Sequence, residues 1–215
     1  MQHQRLERRT VTHRELHVAN GILAVGFRDR SIDGLVAMGK EKPGAVKFAS
    51  GGSQSSGHLV QEMLMLESGA SFLHVPYQGI NKAIIATVAG ETDFVAASPA
   101  SAAAYHESGQ LRPLAFTGQE RSPIVPDVPT MVEAGFPEFV ASAWFGVFAR
   151  AGTPEDRAEK LDNMIAAAIE DDAFQTRITE LGLTIRNLNR AEFSEVIAAD
   201  TPRWQRTIEN LEAGE

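Results

Sequence analysis

Apolar positions fall into short runs, bounded by Gly, Pro and Ser clusters and separated by stretches of helical spacing. The run at residues 21–27 has the length and content of a buried strand, and Ser31 is placed to cap a helix through Leu35, Val36 and Met38. Lys42, Pro43 and Gly44 end that helix. Residues 46–49 read as a second strand leading into the Gly/Ser segment 50–57, and residues 58–68 carry Leu59, Met63, Leu64 and Leu66 near helical spacing. Ser68 and Gly69 close it. A strand at 72–75, a turn at 76–79, a helix capped by Asn81 and running to Val88, a strand at 93–97 and a helix opened by Ser98 and Pro99 follow. After the Ser108-Gly109 turn comes a strand at 111–117. Such alternation predicts βαβ units and a mainly parallel sheet covered by helices.

From Gln119 to Pro137 the rhythm breaks, because Pro123, Pro126, Pro129 and Pro137 impose turns around one short helix at 131–134. Residues 143–148 read as a strand with an aromatic start. Thr153 is expected as N-cap, with Pro154 at the first helical position, of a helix to Glu170 that turns Leu161, Met164, Ile165, Ala168 and Ile169 inward. Helices at 173–181 and 191–211 flank a short strand at 184–186. Residues 1–16 show no sustained period and read as a frayed lead-in or a poor helix.

Composition narrows the class. With 43% hydrophobic and 22% charged residues, the 215-residue chain is globular in type, and no apolar stretch approaches the ~20 residues of a membrane helix. The absence of Cys excludes a disulfide scaffold, a thiol nucleophile and a Cys-liganded zinc. Net charge is −8, but the first thirty residues hold six Arg against three acids, so the body is more acidic still. An acidic body repels nucleic acid, and no basic patch is visible to override it; no nucleic-acid partner is expected. The Arg-rich start lacks the apolar core and cleavage site of a secretory leader, so no export signal is expected within the chain.

The Gly/Ser segment at 50–57 carries the most chemistry. A Gly/Ser loop between strand and helix aims backbone N–H groups and hydroxyls at one point, where the helix dipole favours an anion. The same pattern also describes an ordinary helix cap without a ligand. No Lys follows in the GxxxxGK pattern, so a nucleoside triphosphate is disfavoured and a small carboxylate fits better. A hydrolase reading uses Ser55 or Ser53, or else Ser56, with His58, His74 and Asp93; it lacks the GxSxG elbow, and His58 reads as a satisfied side chain. No HExxH or other metal-ligand spacing occurs, so neither metal nor cofactor is expected, and the pairs Glu155/Asp156 and Asp171/Asp172 suit helix starts. Tyr77 either presents its hydroxyl to a ligand or packs under the loop, and Trp144 is expected to line an interdomain cleft rather than fill a core.

Several spaced motifs together carry a resemblance. Pro43-Gly44, Phe48-Ala49-Ser50-Gly51, Ser55, His58-Leu59, His74-Val75-Pro76-Tyr77-Gln78-Gly79, Gly90 and Asp93 come first. Ser108-Gly109-Gln110-Leu111-Arg112, Arg121-Ser122, Pro126-Asp127-Val128-Pro129-Thr130, Glu133-Ala134-Gly135, Trp144-Phe145-Gly146 and Ala151-Gly152-Thr153-Pro154 follow in order. From residue 22 onward the sequence resembles the Bug (TctC-like) solute-binding receptors of tripartite tricarboxylate transporters.

The resemblance implies an α/β, two-lobed periplasmic-binding-protein type II fold. Residues 1–27 would hold part of lobe one and a first crossing, 28–144 a complete lobe two, and 145–215 the return crossing and the rest of lobe one. It implies a receptor rather than an enzyme, periplasmic as a family, with a small organic acid as ligand and membrane permease subunits as partners of the full-length form. The binding residues carried over are Gly52, Ser53, Gln54, Ser55, Ser56, Tyr77, Gly79 and Ser98. Where Gln54 stands the family usually has a second glycine, so the Gln amide is expected to substitute as a donor. The family's leader and first strand-loop-helix units have no counterpart here, which implies an N-terminally truncated receptor with weakened binding. A small-molecule effector-binding domain is the remaining alternative.

Overall fold

The computed structural model describes residues 15–18, 20–21, 23–26, 31–180, 183 and 185–214. The lead-in read at the N-terminus lies mostly outside these residues, as do Phe27 and Thr184. The chain divides into two compact units, Met1–Ala19 with Trp144–Arg203, and Asn20–Ala143 with Trp204–Glu215.

The larger unit is built on a five-stranded sheet. In chain order it contains β2 (Asn20–Gly21), β3 (Leu23–Gly26), α1 (Ile32–Glu41), β4 (Lys47–Ser50), α2 (Ser56–Ser68) and β5 (Leu73–Pro76). Next come α3 (Ile80–Val88), β6 (Phe94–Ala97), α4 (Pro99–Glu107), β7 (Arg112–Phe116) and β8 (Ser142–Ala143). The strand order is β5-β4-β6-β3-β7, with β4 parallel to both β5 and β6. β3, which precedes the βα units, enters antiparallel between β6 and β7, so the sheet is mixed where alternation alone suggested mainly parallel.

Alternating residues divide the core between the two faces of this sheet. Phe48, Phe94 and Ala96 pack with Ile32, Leu35 and Val36 of α1 and Val60, Met63 and Leu64 of α2. Ala49, Val95 and Ala97 pack with Ala83 and Ile84 of α3 and Ala102 of α4. Returning from β5 past β4 to β6 reverses the winding and places α3 on the face opposite α2. Gly57 lets α2 close on the sheet, since a Cβ there would lie 2.9 Å from the Ala96 carbonyl oxygen.

The proline-rich segment forms no helix at 131–134. Thr130 and Glu133 exchange capping-box bonds of 2.7 and 3.1 Å, but the turn closes at once on Gly135, whose φ is +93°. The segment instead covers the β7 edge, where Phe116 N–H donates to Pro129 O and Met131 N–H to Phe116 O, each at 2.8 Å.

The smaller unit pairs β1 (Glu15–Val18) antiparallel with β9 (Ile185–Leu188) and adds α5 (Glu155–Glu170), α6 (Asp172–Glu180) and the first part of α7 (Arg190–Gly214). Three expectations fail here. The strand read at 143–148 is confined to Ser142–Ala143, which pairs with Gly21 and Asn20 of β2, and residues 144–148 have no ladder partners among the described residues. Thr153 does not cap α5: Pro154 holds that position, and the Thr153 hydroxyl donates back to Arg150 O at 2.6 Å. On α5 Ala158 and Ile169 are buried and Asp162, Ile165 and Ala166 half-buried, leaving Leu161, Met164 and Ala168 exposed. Arg190 accounts for the rotation, since its Nε bonds Asp162 Oδ2 at 2.8 Å and its Nη2 bonds Glu155 Oε1 at 2.7 Å.

Trp144 packs within this unit, its ring edge-on to Phe193 at 5.0 Å and its Nε1 donating to Asp200 Oδ2 at 3.0 Å.

Candidate functional site

Three parallel strands deliver three helix starts to one edge of the sheet: β4 leads to α2, β5 to α3 and β6 to α4. Because the chain leaves β4 for β5 and then returns past it to β6, this is the carboxyl edge beside a topological switch point, where α/β sheets receive ligands. Every binding residue named from sequence lies on these three connections.

The first connection starts at Ser50 and turns through Gly52 (φ +133°) and Gln54 (φ +60°). Ser55 caps α2, its Oγ accepting from His58 N–H at 3.3 Å and its carbonyl from Leu59 N–H at 3.0 Å. Ser53, Gln54 and Ser56 are exposed, whereas Gly52 and Ser55 are half-buried. Among the described residues Gln54 alone joins the glycines at positive φ, at a cost of roughly 1–2 kcal/mol that a glycine would avoid.

The second connection is tied to the first. Tyr77 N–H donates to Ser50 O at 3.0 Å and Gly79 N–H to Gly51 O at 3.1 Å; a Cβ on Gly51 would meet Ile80 N at 3.1 Å. Asn81 is not the cap, because α3 starts at Ile80 behind Gly79, whose φ of +100° and ψ of +154° are open to glycine. Among the described residues no side chain caps α3 or competes with a ligand for its first N–H groups. The Tyr77 hydroxyl donates to Glu91 Oε2 at 3.1 Å, and burial followed by that bond raises its pKa. On the third connection Ser98 caps α4, accepting from Ser101 N–H at 3.2 Å and pairing with Ser101 Oγ at 2.7 Å.

Beneath the first loop lies a cluster that sequence did not assemble. His58 and His74 stack at 3.8 Å with an angle of 11° between rings, and Phe48 stacks on His74 at 4.7 Å. His58 Nδ1 accepts from Gln54 N–H at 2.9 Å and its Nε2 meets Glu62 Oε1 at 3.1 Å. His74 Nε2 lies 2.7 Å from Ser50 Oγ, which also bonds Gly52 N–H at 3.2 Å and Gly52 O at 3.0 Å. Burial, then neighbouring His58, against the opposing pull of Glu62, lowers the His74 pKa to about 4. The β4/β5 register sets Phe48 beside His74, a pairing invisible to spacing.

The hydrolase arrangement does not assemble. Ser55 Oγ faces the backbone N–H of His58 rather than its ring, and the His58 ring serves Gln54 and Glu62. Asp93 accepts from Lys47 N–H at 2.8 Å, at the start of β4 and hence at the opposite edge of the sheet from Ser50. Among the described residues the one serine bonded to an imidazole is Ser50, which is fully buried and committed to Gly52.

The sequence model of the family described as "TctC: Tripartite tricarboxylate transporter family receptor" matches residues 22–213. The chain belongs to the tripartite tricarboxylate transporter receptor family. A relative named "UPF0065 protein in tcbD-tcbE intergenic region" from Pseudomonas sp. (strain P51) is 34% identical over 188 residues, 87% of this chain and 56% of that protein. "Protein BugT" of Bordetella pertussis is 34% identical over 174 residues, 81% of this chain and 53% of that protein. The chain therefore spans about half the length of the curated relatives it matches. The solved structure "MatC (Rpa3494) from Rhodopseudomonas palustris with bound malate" is 25% identical with a TM-score of 0.76, covering 92% of this chain and 69% of that one. The fold is that of this receptor family, an α/β periplasmic-binding-protein type.

Proposed function

We propose that the chain acts as a solute receptor that holds a small carboxylate, a di- or tricarboxylate or a related organic acid, and presents it to membrane permease subunits of a tripartite transporter outside the cytoplasm. The observation that carries this reading is the convergence of three helix N-termini at one sheet edge, with α3 free of any side-chain cap. Helix starts favour anions through oriented N–H groups and the dipole, and neutral hydroxyls beside them add donors without adding charge. Membership of a carboxylate-receptor family and a malate-bound structural relative support the same ligand class.

In this reading Gly52, Ser53, Gln54, Ser55 and Ser56 form one arm of the grip, Tyr77 and Gly79 the second and Ser98 the third. Tyr77 acts through its position under the loop, its hydroxyl being held by Glu91. The ligand is bound and released unchanged. All these donors belong to one unit, and a grip supplied by one unit alone leaves a charged hydrogen bond weaker than in a closed cleft, so in this reading the 215-residue chain alone binds weakly.

Calorimetric titration with malate, citrate and succinate, beside Ser55→Ala, tests the reading. Saturable heat with an acid, reduced in the variant, is the expected result. The absence of a saturable response to every acid would overturn it.

A further inference from the structure

Gln54 sits at a left-handed φ of +60° in the loop proposed to meet the ligand, and an imidazole holds it there. Its N–H donates to His58 Nδ1 at 2.9 Å, and the ring is fixed in turn by Glu62 through Nε2 and by stacking on His74. His74 reaches the other end of the same turn, because its Nε2 bonds Ser50 Oγ, which serves both the N–H and the carbonyl of Gly52. Two stacked imidazoles thus grip the turn at Gly52 and at Gln54.

The directions of these bonds fix the charge state. Nδ1 of His58 must be bare to accept from Gln54, so its proton sits on Nε2 toward Glu62. Ser50 Oγ satisfies three partners by accepting from Gly52 N–H, donating to Gly52 O and accepting from a proton on His74 Nε2. The His58 ring is then neutral. Glu62 on α2 and His74 on β5 are the titratable groups against the His58 ring, while β4 contributes uncharged Phe48 and Ser50. Protonating His58 would set a donor against the Gln54 N–H and break that bond.

We propose that His58 is the positioning residue of the anion loop: its bare Nδ1 fixes Gln54 in the left-handed conformation that sets the loop's donors, and protonation of the ring releases the loop. This deepens the carboxylate reading and rests on it for its functional half.

Nitrogen-15 amide spectra of the 215-residue chain test the assignment without ligand. The Gln54 amide should move on acidification, shift to a weakly bonded position in His58→Leu, and hold its place in His58→Asn, whose Oδ1 supplies a substitute acceptor. Malate titration at neutral pH then reads the consequence: affinity about tenfold weaker in His58→Leu and within about threefold in His58→Asn. On a Gln54→Gly background the Leu substitution should cost less than about twofold, because glycine takes that φ unaided.

A Gln54 amide indifferent both to acidification and to His58→Leu overturns the assignment, as does equal malate affinity in His58→Leu and the unmodified chain. If His58→Leu fails to fold, the pH response of the amide in the unmodified chain decides. Failure of the unmodified chain to bind malate, citrate and succinate alike would sink the carboxylate reading instead, leaving the spectra to decide the positioning role.

Discussion

The two units use their apolar residues differently. In the larger one, most large apolar side chains, among them Phe48, Phe94, Met63 and Ile84, vanish between a sheet and helices on both its faces, although Leu73 and Ile85 stay exposed. In the smaller one, Ala158, Ile169, Ile178 and Phe193 are buried, yet Phe145 stays 61% exposed and Met164 60%, with Val147, Phe148 and Leu161 also in water. A hydrophobic position thus earns stability only where something covers it, and covered sheet faces are also what hold a loop edge steady enough to orient donors. The candidate site sits on the well-covered unit.

The largest effects should fall in that unit. Phe48→Ala removes a fully buried ring that supports both histidines and should cost about 3–5 kcal/mol in denaturant unfolding. Trp204 belongs to this unit and Trp144 to the other, so Trp144→Phe and Trp204→Phe backgrounds let fluorescence follow each separately. A Phe48→Ala loss seen equally by Trp144 and Trp204 would break the contrast.

Acid should act next. The folded His74 pKa of about 4 lies below its ordinary 6.5, so the unfolded chain takes up the proton first as pH falls. Stability is therefore complete above pH 6.5 and declines toward pH 4, by about 2 kcal/mol after allowance for solvent screening. His74→Asn should flatten that part of the pH profile; an unchanged slope would show the acid sensitivity to lie elsewhere.

Loss of a cap is smaller. Ser98→Ala removes the bond to Ser101 N–H and should cost about 1 kcal/mol, read by the Trp204 transition. Smallest of all, Met164→Gln and Phe145→Ser should change stability by less than about 0.5 kcal/mol, since neither side chain is covered. A loss above about 2 kcal/mol in either would mean that this face is buried in solution, for example against another copy.

Much of the larger unit was legible because each strand there is followed by its own turn and helix. Ser31 and Ser98 announce their helices, and both cap as read. What spacing could not reveal was pairing. Nothing local places β3 antiparallel inside the sheet or sets Phe48 opposite His74, so the imidazole stack under the loop stayed hidden although both histidines were noticed. In the smaller unit the helical period of α5 was plain but its phase was not, because a distant Arg190 draws Asp162 into the buried stripe. Thr153 next to Pro154 looked like a start signal, but its hydroxyl found the Arg150 carbonyl first. The loop's chemistry was visible in its Gly/Ser content, whereas the arms at Gly79 and Ser98 become one edge only through the parallel β4, β5 and β6.

The most direct test of the account is amide-resolved mapping of a malate titration. The account predicts saturable shifts at Gly52–Gly57, Gly79 and Ser98, with α5, α6 and β9 unmoved. Saturable shifts confined to residues 144–203, or none at any residue, would contradict it.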